Sequence, residues 1–146
     1  MHILKVTVKE IEKVLPLFDQ YRQFYNQPND LTGASAFLSA RIEQNQSIIF
    51  LAEIEEQPAG FVQLYPSYSS ISMKKAFILN DLYVDKSFRG HGVGQALIET
   101  CFAFCEQKQA KYLTLQTAPD NKTAKRLYEK MGMKIDSEFD NYIKYW

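Results

Sequence analysis

Few cysteines, few prolines and no surplus charge of either sign set the first limits on this chain. Cys101 and Cys105 are the only two cysteines among 146 residues. They stand four apart in one helical pattern, so neither a disulfide framework nor a C-x-x-C metal pair can be built from them, and reduced thiols in a cytoplasmic setting are expected. No stretch approaches the ~18–20 apolar residues of a membrane-spanning helix. The start, Met1-His2-Ile3-Leu4-Lys5, lacks the long apolar core of a signal peptide, so no membrane partner is expected. Seventeen basic and seventeen acidic side chains cancel, which leaves no global field to gather nucleic acid. Arg89, Lys122, Lys125 and Arg126 could still form a local basic patch. Internal repeats, low-complexity tracts and linkers are missing too, so residues 1–146 read as a single domain.

What is present is an ordinary globular balance, with 46% apolar, 23% charged and 14% aromatic residues. A chain of this length buries roughly two-thirds of its unfolded surface. Residues Ile3 to Val8 alternate as a first strand, and Thr7-x-x-Glu10 reads as a capping box before Ile11, Val14, Leu15, Phe18 and Tyr21 at helical spacing. Pro16 predicts a kink there, or two short helical pieces. A connection through Phe24, Tyr25 and Pro28 leads to a second helix capped by Asp30 or Asn29, with Phe37, Leu38 and Ile42 on its apolar face. Ser47 to Ile54 reads as a buried strand, Glu55-Glu56-Gln57-Pro58 as a turn, and Gly60 to Tyr65 as the next strand. A serine-rich loop, Pro66 to Ser72, precedes a strand from Lys75 to Val84. A helix from Val93 to about Gln107 and a strand from Tyr112 to Thr117 follow. The next helix is capped by Asn121 or Asp120 and stopped by Gly132. Aromatics at Phe139, Tyr142, Tyr145 and Trp146 suggest one or two closing strands. The class is α/β, helices alternating with a mixed sheet.

The densest chemistry lies where the run ending in Leu82-Tyr83-Val84 meets Arg89-Gly90-His91-Gly92-Val93-Gly94 and leaves as a helix. Glycines let backbone N–H groups crowd a ligand, and a helix N-terminus beside an arginine is an anion site suited to phosphate or diphosphate. A Walker loop would end in Gly-Lys-Ser/Thr, and this one reads Gly-Val-Gly-Gln. A Rossmann fingerprint needs G-x-G-x-x-G and an acidic residue on the next strand, but the glycines here run G-x-G-x-G and Tyr112 to Thr117 carries no carboxylate. Arg89-x-x-Gly92-x-Gly94 resembles the diphosphate signature of the GNAT acyl-CoA N-acyltransferases. Asn121-Lys122-Thr123-Ala124-Lys125-Arg126-Leu127-Tyr128-Glu129-Lys130-Met131-Gly132 is similar to that superfamily's N-x-x-A-x-x-L-Y-E-x-x-G segment. The likeness in element order covers nearly the whole chain, and the residue-level likeness runs from about Phe77 to Met133.

That resemblance implies a GNAT-like fold, a mostly antiparallel central sheet of about six to seven strands flanked by about four helices. It also implies an acetyl-CoA-dependent N-acetyltransferase with no metal. The acetyl group would pass to a primary amine of a small molecule or peptide by direct attack in a ternary complex. Arg89, Gly90, His91, Gly92, Val93 and Gly94 would cradle the diphosphate, Leu82, Tyr83 and Val84 would offer backbone groups to the pantetheine beside a bulge, and Asn121 would touch the coenzyme arm. Tyr128 would stand near the sulfur as proton donor. On periodicity alone Tyr128 is a core tyrosine and Asn121 a helix cap. Many relatives place Glu before the aspartate, where this chain has Asn80-Asp81, and an amide cannot accept the proton. Asp81 then serves directly, through a water, or only as a structural carboxylate. Phe24, Tyr25, Tyr65, Tyr68 and Asn80 fall in segments that line the acceptor groove in relatives. A His91–Cys101 or His91–Cys105 pair is a weaker catalytic option. Asn80 also admits a non-catalytic acyl-CoA-binding sensor, and the closing strands admit a homodimer.

Overall fold

The isoleucine-rich run Ile48–Ile54 (β2) is apolar on both faces because helices cover both sides of the sheet it belongs to. The computed structural model describes Met1–Trp146 as two compact units, Met1–Gln116 and Thr117–Trp146. In the first, β1 (His2–Lys5), β2, β3 (Gln57–Ser69), β4 (Lys74–Val84) and β5 (Leu113–Thr114) form one sheet in the order β1-β2-β3-β4-β5. Neighbours are antiparallel except β4 and β5, which run parallel. Helices α1 (Ile11–Phe24), α2 (Leu31–Glu43) and α3 (Val93–Gln107) complete this unit.

Period-two alternation builds two cores from the same strands. Phe50 and Ala52 of β2 join Val62, Leu64, Phe77 and Leu79 against Val93, Leu97 and Cys101 of α3. Ile49 and Leu51 join Phe61 against Val14, Leu17 and Phe18 of α1 and Ala34 and Leu38 of α2. Each valine, leucine, isoleucine or phenylalanine among them contributes about 1.5–3 kcal/mol on burial. On β4 the alternation changes phase. Gln63 pairs with Asp81 but Leu64 pairs with Leu79, so Asn80 is a surplus residue, a β-bulge. Phe77 and Leu79 before it and Leu82 and Val84 after it all pack toward α3. Asp81 and Tyr83 are thereby turned to the α1–α2 side.

Several expectations are corrected. The first strand ends at Lys5, and the Thr7–Glu10 capping box starts a 3₁₀ turn, Val8–Glu10, that runs into α1. Of the two outcomes expected at Pro16, a break into two short pieces does not occur, since the helix is continuous through it. Both Pro16 and Glu12, whose carbonyl loses its bond to the missing N–H, are exposed to water, while Val14, Leu17 and Phe18 hold the opposite face. The loop expected over Pro66 to Ser72 is mostly strand, because β3 continues to Ser69 and β4 begins at Lys74. Proline is tolerated there because β2 ends at Ile48 opposite Leu64, leaving Pro66 paired on the β4 side alone. Glu55 and Glu56 form the hairpin turn, both at positive φ (50° and 66°), with Ile54 paired to Gln57. The fifth strand shrinks to Leu113–Thr114, and no strand forms after Met133, which is why the open sheet has five strands.

The second unit holds α4 (Lys122–Lys130). Asn121 caps it, its Oδ1 accepting from the Ala124 N–H at 3.3 Å. Gly132 ends it at φ 89°. The Met133 N–H donates to the Tyr128 carbonyl and the Gly132 N–H to the Glu129 carbonyl, each at 3.0 Å, which is a Schellman termination.

Candidate active site

Where β4 ends, the Asp85 N–H donates to the Ala59 carbonyl at 2.8 Å, and the Asp85 carboxylate accepts from the Ser87 N–H at 2.8 Å to start the 3₁₀ turn Lys86–Phe88. Gly90 and Gly92 then take φ of 80° and 78°. A Cβ at either would meet nothing within 4 Å, so glycine is required there for its dihedral and not for room. Gly92 is the N-cap of α3 and brings no capping side chain, whereas Thr7, Asp30 and Asn121 cap the turns and helices that follow them. The first intrahelical bond runs from the Ala96 N–H to the Gly92 carbonyl at 3.0 Å. The N–H groups of Val93, Gly94 and Gln95 therefore lack an acceptor within the helix and sit at the positive end of its dipole. Gly60 matters through close approach. A Cβ there would lie 2.9 Å from the Tyr83 carbonyl oxygen and 3.0 Å from Val93 Cγ1, so its absence lets α3 start tight against β3 and β4.

Around this turn, the Arg89 Nε–H donates to the Val84 carbonyl at 3.0 Å, and its guanidinium lies 5.6 Å from the Tyr83 ring centroid. His91 is exposed, with Nδ1 3.1 Å from the Phe88 carbonyl oxygen and 3.0 Å from that of Arg89. Its ring closes the loop. On β4, only Phe77 and Ile78 pair with β5, so the strand from Leu79 to Val84 has a neighbour on the β3 side alone. Backbone groups of Leu82, Tyr83 and Val84 on the other side face no strand.

On the opposite face of the sheet lies a cleft of about 390 Å³ between α1, α2 and the β3–β4 pair. Asp81, 4% exposed, is at its base. Gln63, completely buried, donates through Nε2 to Asp81 Oδ2, and Asn80 donates through Nδ2 to Oδ1 at 3.0 Å. Ser47 donates to Gln63 Oε1 at 2.6 Å, which fixes the amide with its NH₂ toward the carboxylate. The Tyr21 hydroxyl, 3.3 Å from the Asn80 carbonyl oxygen, also hydrogen-bonds the Asp81 carboxylate. Burial pushes the Asp81 carboxyl above its usual range, and these donors pull part of the way back. Tyr65 lines the same cleft, its hydroxyl pushed up to about 12 by burial and then by the charge of Asp81. Phe18, Phe37, Arg22 and Asp30 supply the remaining wall.

Of the candidates for the acceptor, Tyr65 and Asn80 line this cleft with Asp81. Tyr25 stands half-exposed, its ring 5.1 Å from that of Tyr21, and Phe24, 60% exposed, packs edgewise on Tyr25 outside the lining. Tyr68 is 71% exposed near the end of β3. Tyr128 and Asn121 belong to the second unit, on α4 and at its cap. The cysteine option fails, since both thiols are buried and held protonated, Cys101 pushed up to about 12 by burial and by Cys105. A wider depression of about 680 Å³ lies beside the β2–β3 hairpin and holds the Lys13–Glu53 ion pair at 3.3 Å. It contains no oriented acid–base set. Sequence reasoning missed Tyr21, Gln63 and Ser47. The available signal was Gln63 itself, an amide in the otherwise apolar Gly60–Leu64 run.

Residues 14–133 match the model of the Acetyltransferase (GNAT) family. The chain is 44% identical over 142 residues to an uncharacterized N-acetyltransferase of Bacillus subtilis, covering 97% of this chain and 95% of that one. It is 31% identical to a probable acetyltransferase of Haemophilus influenzae, with 93% and 92% covered. A crystal structure of a probable acetyltransferase superposes with a TM-score of 0.95 at 34% identity, covering 100% of this chain and 98% of the other.

Proposed function

The chain belongs to the GNAT acetyltransferase family, and from that premise we propose that it moves the acetyl group of acetyl-CoA to a primary amine of a small molecule or peptide, by direct attack in a ternary complex. The observation that carries the proposal is the uncapped N-terminus of α3 behind Gly92, next to the unpaired edge of β4. The fit to coenzyme A is chemical. Three free N–H groups and a guanidinium suit a diphosphate, and a strand edge suits an arm with two amides. When bound, acetyl-CoA would supply the activated acetyl carbon, whose C–S bond breaks as the amine's N–C bond forms.

The remaining work falls to the chain. The loop Arg89–Gly94 holds the diphosphate, Leu82, Tyr83 and Val84 hold the arm, and Asn121 adds a contact. An amine with an ordinary pKa near 10.4 must lose a proton to attack. Asp81 takes it, directly or through a water, and its raised pKa makes it a stronger base than an ordinary carboxylate. Asn80 and Tyr65 orient the acceptor, with Phe24 and Tyr25 outside the cleft near its Tyr21 wall. Tyr128 donates the proton that the departing sulfur takes up. Residues 1–146 act as one domain in this reading, without a metal, and in the cytoplasm. No helix is long and apolar enough to cross a membrane.

Thiol release from acetyl-CoA across a panel of amines tests the proposal. Amine-dependent release identifies the acceptor class. Saturable acetyl-CoA binding in calorimetry with no release for any amine would favour the acyl-CoA sensor instead, and no binding at all would remove both.

A further inference from the structure

The cleft between α1 and α2 limits which amine it can take. Asp81 lies at its base, and three neutral donors already reach that carboxylate: Gln63 Nε2, Asn80 Nδ2 and the Tyr21 hydroxyl. A carboxylate has about four acceptor positions, so about one stays open, enough for one N–H of one ammonium group. The other charges of the lining serve the junction of the two helices. Arg22 donates from Nη1 to the Pro28 carbonyl at 3.1 Å and lies 3.9 Å from the carboxylate of buried Asp19. Asp30 caps α2, accepting from the Gly33 N–H at 2.9 Å, so the positive end of that helix offsets its charge. Just outside the lining, the Arg41 guanidinium rests 4.9 Å from the Phe37 ring centroid, and its Nε–H donates to Gln46 at 2.7 Å. Asp81 is the lining charge left without a counter-charge.

The rest of the wall is aromatic. Phe18 and Phe37 stack with ring centroids 6.1 Å apart and planes 8° apart, and Tyr21 and Tyr65 line the same cleft. From Tyr21 the rings continue outward. Tyr25 follows at 5.1 Å and Phe24 a further 5.2 Å on, and they are 51% and 60% exposed. Such rings favour a flat apolar body and steady a cation held beside them. At about 390 Å³ the cleft is near the lower end of small-molecule sites, which run from about 300 to 1,000 Å³.

Resting on the acetyl-transfer reading of this cleft, we propose that the acceptor is a small primary amine with an aromatic body and no second charge. Its ammonium group meets Asp81, and its ring lies against Phe18, Phe37 and Tyr21. A polyamine would bring a second ammonium with no second unbalanced carboxylate to receive it, and an amino acid would bring its own carboxylate to the side of Asp81.

Calorimetry on the full chain, with and without coenzyme A, tests this with phenethylamine, ethylamine, spermidine and phenylalanine. Phenethylamine should bind about tenfold or more tightly than each of the others, and kcat/KM for thiol release from acetyl-CoA should follow the same order. Phe37→Ala, at a residue 40% exposed, should narrow the margin over ethylamine about three- to tenfold in a protein that still unfolds cooperatively. Ethylamine, spermidine or phenylalanine binding as well as phenethylamine, or no heat from phenethylamine at all, would overturn the assignment. Binding in the expected order without thiol release would uphold the preference of the cleft and count against acetyl transfer instead.

Discussion

Replacing Gln63 by Met tests whether the cleft is arranged around the Asp81 carboxylate. Methionine keeps the length and burial of the glutamine and removes its NH₂, so Asp81 loses its Nε2 donor while the sheet register stays intact. A hydrogen bond to a charged group is worth about 1.5–3 kcal/mol, and at 1.36 kcal/mol per unit the Asp81 pKa should rise by about one to two units. Its native pKa is already raised by burial. The stability this group contributes is therefore fully present below the ordinary carboxylate pKa of about 3.9 and lost as pH rises through its folded value. Urea unfolding should show the variant destabilised by about 2–3 kcal/mol at a pH above the Asp81 titration, and by only about 1 kcal/mol at a pH below it. The acid limb of kcat/KM should move up by the same one to two units. An equal loss of stability at both pH values, with an unmoved acid limb, would refute the reasoning. In an Asp81→Asn background the pH-dependent part should vanish.

Gly92→Val forces a β-branched residue to φ 78° and should weaken acetyl-CoA binding at least ~10²-fold by calorimetry, in a protein that unfolds cooperatively as before. Tyr128→Phe should lower kcat about tenfold or more and leave acetyl-CoA affinity unchanged, as read from steady-state kinetics and calorimetry. Glu55→Asn with Glu56→Gly relieves two glutamates held at positive φ and should add about 1–2 kcal/mol in denaturant titrations. Tyr65, with its pKa at about 12, contributes stability that is complete below the ordinary tyrosine value of about 10 and lost as pH rises through 12. Phenolate absorbance should show one late-titrating tyrosine that Tyr65→Phe removes.

Most helices were legible because their signals are local. Thr7-x-x-Glu10, Asp30 and Gly132 do in the structure what their chemistry dictates in isolation. The errors arose where a neighbour outvoted the local signal. Pro16 stays inside a helix because the apolar stripe opposite it is buried, and Pro66 stays inside a strand because β2 has already ended. The turn before α3 could be read from its glycines. The setting of Asp81 could not, because it depends on Gln63 from another strand, Tyr21 from a helix and a bulge that alternation alone cannot locate. The closing strands were expected from aromatic content, and none forms after Met133; composition favours a strand without fixing its pairing.

The surplus residue at position 80 interrupts the count of β4 without deciding which way its neighbours face. Deleting it would restore unbroken alternation, and Asp81, Leu82 and Val84 would each keep the side they hold now. What would go is the Nδ2 donor to the Asp81 carboxylate and the carbonyl oxygen that the Tyr21 hydroxyl reaches. The extra residue is therefore a fitting for the carboxylate, and a lineage that discards it must find that carboxylate another donor.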